Sequence, residues 1–168
     1  MKYVIHFVCL LFLGSCAQAQ TYISFVPSVT NTPGTLADKS NYSVAVGRQW
    51  EVFSMELDLG KTTLGKMVGS DTSVYLEIRP NLNIFQQGKF TNTLTPGIGY
   101  IFNCKENLMT ELTSGVEYSL NPLIHFNINF GQYFYSGLRS ASSVTFWGVS
   151  IMKYFAPSKT KGLLNKPQ

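Results

Sequence analysis

Seven residues have the types and spacing for proton transfer or ion pairing: Glu56 and Asp58, Glu77 and Arg79, Glu111 and Glu117, and His125. Paired carboxylates can divide the roles of general acid and general base, and a histidine beside a carboxylate can activate a nucleophile. The same groups can instead form a hydrogen-bonded, ion-paired plug, because a charge removed from water must be paired. Their even spacing decides how they are displayed, since residues two apart on a strand share a face. Arg79 falls on the strand after Glu56 and Asp58 and is the cation that could serve one of them. No Gly-rich phosphate loop, nucleotide fingerprint or metal-ligand cluster accompanies these residues, and no cofactor is expected.

The elements that carry them alternate with period two. In Ser73 to Phe85, SVYLEIRPNLNIF, the residues Val74, Leu76, Ile78, Leu82 and Ile84 share one parity, and Tyr75, Glu77, Arg79, Asn81 and Asn83 share the other. FSMELDL, from Phe53, sets Met55, Leu57 and Leu59 against Glu56 and Asp58. LIHFNINFGQYFY, from Leu123, sets Ile124, Phe126, Ile128 and Phe130 against His125, Asn127, Asn129 and Gly131. Five weaker patterns, over 21–30, 41–50, 90–103, 108–120 and 143–155, bring the number of expected strands to eight. Pro27, Pro80 and Pro96 fall inside these patterns and are local objections to them. Clusters of Gly, Asn, Asp, Ser and Lys at 31–40, 60–72 and 137–142 read as loops, and Gln86 to Lys89 as a turn.

An apolar ladder on every strand needs a second sheet, an enclosed core or lipid. Charged residues make up only 13% of the 168-residue chain while aromatics reach 14%, which suits a small barrel in lipid better than a water-facing domain. Beyond the first twenty positions no apolar run of about eighteen residues occurs, so a helical span in the mature protein is excluded. Backbone in lipid must satisfy its own hydrogen bonds, which requires the sheet to close. The expected fold is therefore all-β: a closed antiparallel up-and-down transmembrane β-barrel of eight strands. At that strand number the interior has room for side chains and little else. Small residues such as Thr93, Thr95, Gly97 and Gly99 would fall inside. The formal net charge is +4, with the basic residues scattered rather than gathered into a groove, and nucleic acid is not an expected partner.

MKYVIHFVCLLFLGSCAQAQ reads as a secretory leader: one lysine, an apolar run, then Ala17-Gln18-Ala19 as the cleavage site. Residues 1–19 are then a cleaved signal peptide, 20–155 the barrel domain and 156–168 a flexible basic tail. Leu13, Gly14, Ser15 and Cys16 also resemble a bacterial lipobox, in which Cys16 would be lipidated. Under the favoured cleavage Cys104 is the one cysteine left, which excludes an intramolecular disulfide and a thiolate metal cluster. Beside Lys105, it reads as an ordinary turn thiol.

GRQWEVFSMELDLG (47–60), TPGIGYIFN (95–103) and GVSIMKYF (148–155) resemble the small eight-stranded outer-membrane β-barrel proteins of Gram-negative bacteria. The resemblance lies in strands and turns rather than in a diagnostic motif. It implies export to the outer membrane, contact with outer-membrane lipid and lipopolysaccharide, and a monomer. It also implies recognition of a terminal aromatic residue by the barrel insertion machinery, a role that Phe155 fits although thirteen residues follow it. Lipid A deacylases resemble this chain in size and carry a His-x-Ser element, whereas His125 is followed by Phe126 and Asn127. Without that serine the base has nothing to activate. The expected function is a non-enzymatic membrane barrel with a side-chain-filled lumen and a structural or surface-interaction role. A soluble secreted barrel binding an apolar ligand and a lipid-modifying barrel enzyme are the alternatives.

Overall fold

A computed structural model describes residues 19–31, 39–62, 73–102, 108–135 and 143–155. Residues 1–18 of the stretch read as a leader, with Cys9 and Cys16, the Cys104 stretch read as a turn and residues 156–168 read as a tail lie outside the described residues. The elements are β1 (Gln20–Asn31), β2 (Lys39–Gln49), β3 (Phe53–Thr62), β4 (Ser73–Gln87), β5 (Phe90–Ile101), β6 (Leu108–Asn121), β7 (Ile124–Tyr135) and β8 (Ser143–Tyr154). Each strand pairs antiparallel with its neighbours in sequence, and β1 pairs with β8 to close the barrel. β2 starts inside the stretch read as a loop, and β3 runs three residues into the next. The ladder continues there through Thr30↔Lys39 and Thr62↔Ser73.

The connections differ sharply between the two ends. At one end β2–β3, β4–β5 and β6–β7 are joined by two or three residues, whereas six to ten residues separate the paired strands at the other. Gly88, in the two-residue turn between β4 and β5, has φ 61°, a left-handed conformation that glycine adopts without steric cost. Two positions interrupt the register, between Asn83 and Phe85 and between Ser119 and Asn121. Ile84 and Leu120 are the extra residues, and each bulge re-aims the strand just before a short turn.

All three strand prolines are accommodated within the sheet. Pairing of β1 with β8 lapses between Phe25↔Ile151 and Ser28↔Gly148, at Pro27. Pairing of β4 with β5 lapses between Ile78↔Ile98 and Leu82↔Leu94, where the same register would set Pro80 against Pro96. Both prolines stay in register on their other sides, through Met55↔Pro80 and Pro96↔Leu112. Two residues that lack an N–H donor therefore share a single gap.

Side-chain alternation sorts the barrel into an apolar exterior and a packed interior. Leu57, Ile78, Ile98, Leu112, Ile128 and Ile151 all face out and are exposed, whereas Glu77 and Arg79 are 1% and 6% exposed. A soluble carrier would need the opposite arrangement, and that alternative is overturned. Aromatic side chains cluster on the outer surface near both ends, as they do where a membrane barrel crosses the two interfaces. Trp50 stacks on Phe53 and Phe90 meets Tyr118 at the short-turn end, while Tyr100 meets Phe102 at the other.

Inside, polarity changes along the axis. Tyr75, Ile101, Met109, Tyr133, Val144 and Phe146 form an apolar cluster beneath the long-connection end. Tyr22, Met152 and Tyr154 form a smaller one at the short-turn end. The charged residues lie between and beside these two caps. Glycines supply the space for the rings: a Cβ on Gly47 would fall 2.2 Å from the ring of its partner Tyr22, and one on Gly60 would fall 2.6 Å from the ring of its partner Tyr75.

Candidate functional site

The lumen collects all seven residues that could do chemistry: a central group around Arg79, Glu77 beside it, and a second group around His125. In the central group Arg79 on β4 lies 3.5 Å from Glu56 and 3.7 Å from Asp58, both on the adjacent β3. Its shortest contact is different: Arg79 Nη2 donates to Glu111 Oε1 at 2.9 Å, from β4 to β6 across the intervening β5. One guanidinium thus ties three carboxylates together, a task suited to its planar fork of donors. Hydroxyls fill in around it. Tyr22 donates to Glu56 at 2.7 Å, and Ser43 and Tyr75 donate to Asp58 Oδ2 at 3.0 and 3.2 Å. Thr113 donates to Glu111 at 2.5 Å.

Glu77 shares the inner face but stands apart from this network. It is 1% exposed, and neither carboxyl oxygen has a hydrogen-bond partner among the described residues. Its Oε1 occupies the space above Gly97, where a Cβ would fall 2.2 Å away. Five acidic residues, Glu56, Asp58, Glu77, Glu111 and Glu117, therefore share the interior with Arg79 and His125.

The second group sits near the short-turn end. His125 Nδ1 lies 2.5 Å from Glu117 Oε1 and 3.5 Å from Ser119 Oγ, and the His125 ring packs on Tyr154 with centroids 4.5 Å apart. Serine, histidine and glutamate are thus adjacent, although the sequence lacks the His-x-Ser element. The geometry is not that of a proton relay. A relay needs the acid on one ring nitrogen and the nucleophile on the other, whereas Glu117 and Ser119 both address Nδ1.

Sequence reasoning placed Tyr75 on an inward parity but gave no role to the interior tyrosines. Tyr22 and Tyr75 supply hydroxyls to the carboxylates, and Tyr154 donates to Gln49 at 2.6 Å. Their parity was the signal available, since each falls in step with inward-facing residues of its own strand. Between the charges and the short-turn cap a cavity of about 10 Å³ remains, lined by Ser24, Glu56, Arg79, Asn81 and Asn127 among others. That is the scale of a single water and too small for a substrate. Among the described residues no group of three or more His, Cys, Asp or Glu could hold a metal ion.

No protein-family model and no curated protein matches the sequence. Solved structures do match the fold. The de novo designed transmembrane barrel TMB2.3 aligns over 84% of this chain and 99% of its own, with 15% identity and a TM-score of 0.58. Neisserial surface protein A aligns over 80% of this chain and 96% of its own, with 7% identity and a TM-score of 0.54. The fold is that of the small eight-stranded outer-membrane barrels. It does not fix an activity: PagL, an outer membrane enzyme, aligns over 77% of this chain and 98% of its own, with 10% identity and a TM-score of 0.51. Identities this low speak for the backbone and not for the chemistry of the lumen.

Proposed function

We propose that this protein is an integral barrel of the Gram-negative outer membrane that acts through its surface, without enzymatic turnover and without an open pore. The observation that carries this reading is the filled axis: charged groups tied through Arg79, closed above and below by aromatic clusters. Polar groups in such an interior stabilise the barrel when paired and leave no space for a ligand. The Glu117–His125–Ser119 group belongs to the same packing, because its geometry supports no relay. Residues 1–19 act as the export signal in this reading, and 156–168 as a basic tail. The protein is a monomer whose longer connections face the cell exterior, where they meet lipopolysaccharide or partner proteins. Phe155, 64% exposed and tied to β1 through its N–H to the carbonyl of Thr21 at 3.0 Å, offers its ring to the insertion machinery.

Four measurements test the reading. Cell fractionation should return the protein with the outer membrane. Detergent-extracted protein should migrate differently on gels before and after boiling, and identical migration would overturn the membrane assignment. Planar bilayers holding the folded protein should show no discrete conductance steps, and lipid A from expressing cells should keep the same acyl chains with His125→Ala as with the parent. A conductance step, or an acyl change dependent on His125, would replace the proposal with a channel or an enzyme.

A further inference from the structure

Apart from Arg79, which is held inside by its carboxylates, the following charges on the strands divide by face. Every acidic strand residue among those described points inward, whereas Arg48, Lys61 and Lys153 lie on the outward, lipid-facing parity. Lys61 is near the long-connection end. Arg48 and Lys153 are at the short-turn end, on either side of β1, in register with Thr21 and Ile23 respectively. Strand spacing and rise place their backbones roughly 12 Å apart, within reach of one another for two long side chains.

The Arg48 position carries further marks of an anion site. Its guanidinium lies over the Trp50 ring at 5.9 Å, and its Nε is buried without a hydrogen-bond partner among the described residues. Among the described residues neither Arg48 nor Lys153 forms an ion pair. Glu51 is exposed in the β2–β3 turn, three residues along the chain from Arg48. A third cation, Lys89, is held over Tyr118 at 5.9 Å on the same rim. Interfacial tryptophan sits at headgroup depth, so cations beside it meet phosphates rather than acyl chains.

We infer that Arg48 and Lys153, with Trp50, form a binding site for the phosphate of an anionic glycerophospholipid in the leaflet at the short-turn end. The inference rests on the proposal that the barrel spans the outer membrane, with its short turns toward the periplasm. Charge sorting selects the ligand: an outward surface bearing cations and no acid on its strands favours anionic over zwitterionic headgroups. Position selects the leaflet, since lipopolysaccharide would meet the Lys61 rim instead.

The test uses full-length mature protein folded into vesicles of mixed phosphatidylglycerol and phosphatidylcholine, then extracted gently for native mass spectrometry of retained lipid. The parent should retain phosphatidylglycerol in excess of its share. R48Q/K153Q should reduce that excess about tenfold or more, while K61Q leaves it unchanged. Equal enrichment in parent and R48Q/K153Q, or none in the parent, overturns the site. Heat-dependent gel migration of each sample reports folding separately, and a parent that folds in no lipid counts against the membrane proposal itself. Should R48Q/K153Q not fold, the parent at high salt gives the same answer: the excess should vanish as the charges are screened, and its persistence overturns the inference.

Discussion

Arg79 makes its shortest ionic contact with Glu111, 2.9 Å away on a strand that is not its neighbour. The contact ties β4 to β6 over the inner face of the intervening β5. Arg79→Met leaves three buried carboxylates without their cation, and breaking a buried pair from one side costs about 3–5 kcal/mol. Urea unfolding from vesicles should show that loss for R79M. R79M/E111L should recover part of it, and two fully additive losses would mean that the pair is not coupled.

The inner glycines under aromatic rings set a steric limit. Gly60→Val would drive its side chain into Tyr75, at a cost of about 1–3 kcal/mol as overpacking. Pairing G60V with Tyr75→Ala should restore part of the stability, at the expense of the hydrogen bond to Asp58. A G60V barrel as stable as the parent would show that the ring moves aside freely.

On the outer surface the cost of a charge depends on depth. Ile78→Arg, mid-strand beside Leu57 and Ile98, should destabilise by about 2–4 kcal/mol in a bilayer. Val52→Arg, in an exposed short turn, should cost about 0–1 kcal/mol. Equal losses at the two sites would contradict the placement of the apolar belt.

Pro80 and Pro96 share one interruption between β4 and β5. Replacing either with alanine restores a single donor, whereas P80A/P96A allows the ladder to run through. Amide exchange measured in micelles should slow near Arg79 and Gly97 in the double variant more than in either single one.

These prolines also show where sequence reading reached its limit. Counted one at a time, Pro80 and Pro96 weaken two separate strands, and only the register reveals that they occupy one gap. Parity along each strand was legible throughout, because alternation is local and the bilayer enforces it on every strand. It placed Glu56, Asp58, Glu77, Arg79, Glu111, Glu117 and His125 on inward faces. It offered Arg79 to its neighbours on β3, but not to Glu111, because reach past an intervening strand depends on barrel curvature and on the register of two ladders. The aromatic caps were missed for a related reason. Tyr133 and Val144 look like exterior residues by type, and only their parity sends them inside.

The seam between β1 and β8 governs when this molecule can be finished. Tyr22 finds its partner Tyr154 only after nearly the whole barrel has been synthesised, so the earliest residues wait with one edge bare while the latest are made. An unfinished chain offers that edge, and its greasy flank, to any other unfinished chain. Only closure of the β1–β8 seam removes both exposures at once.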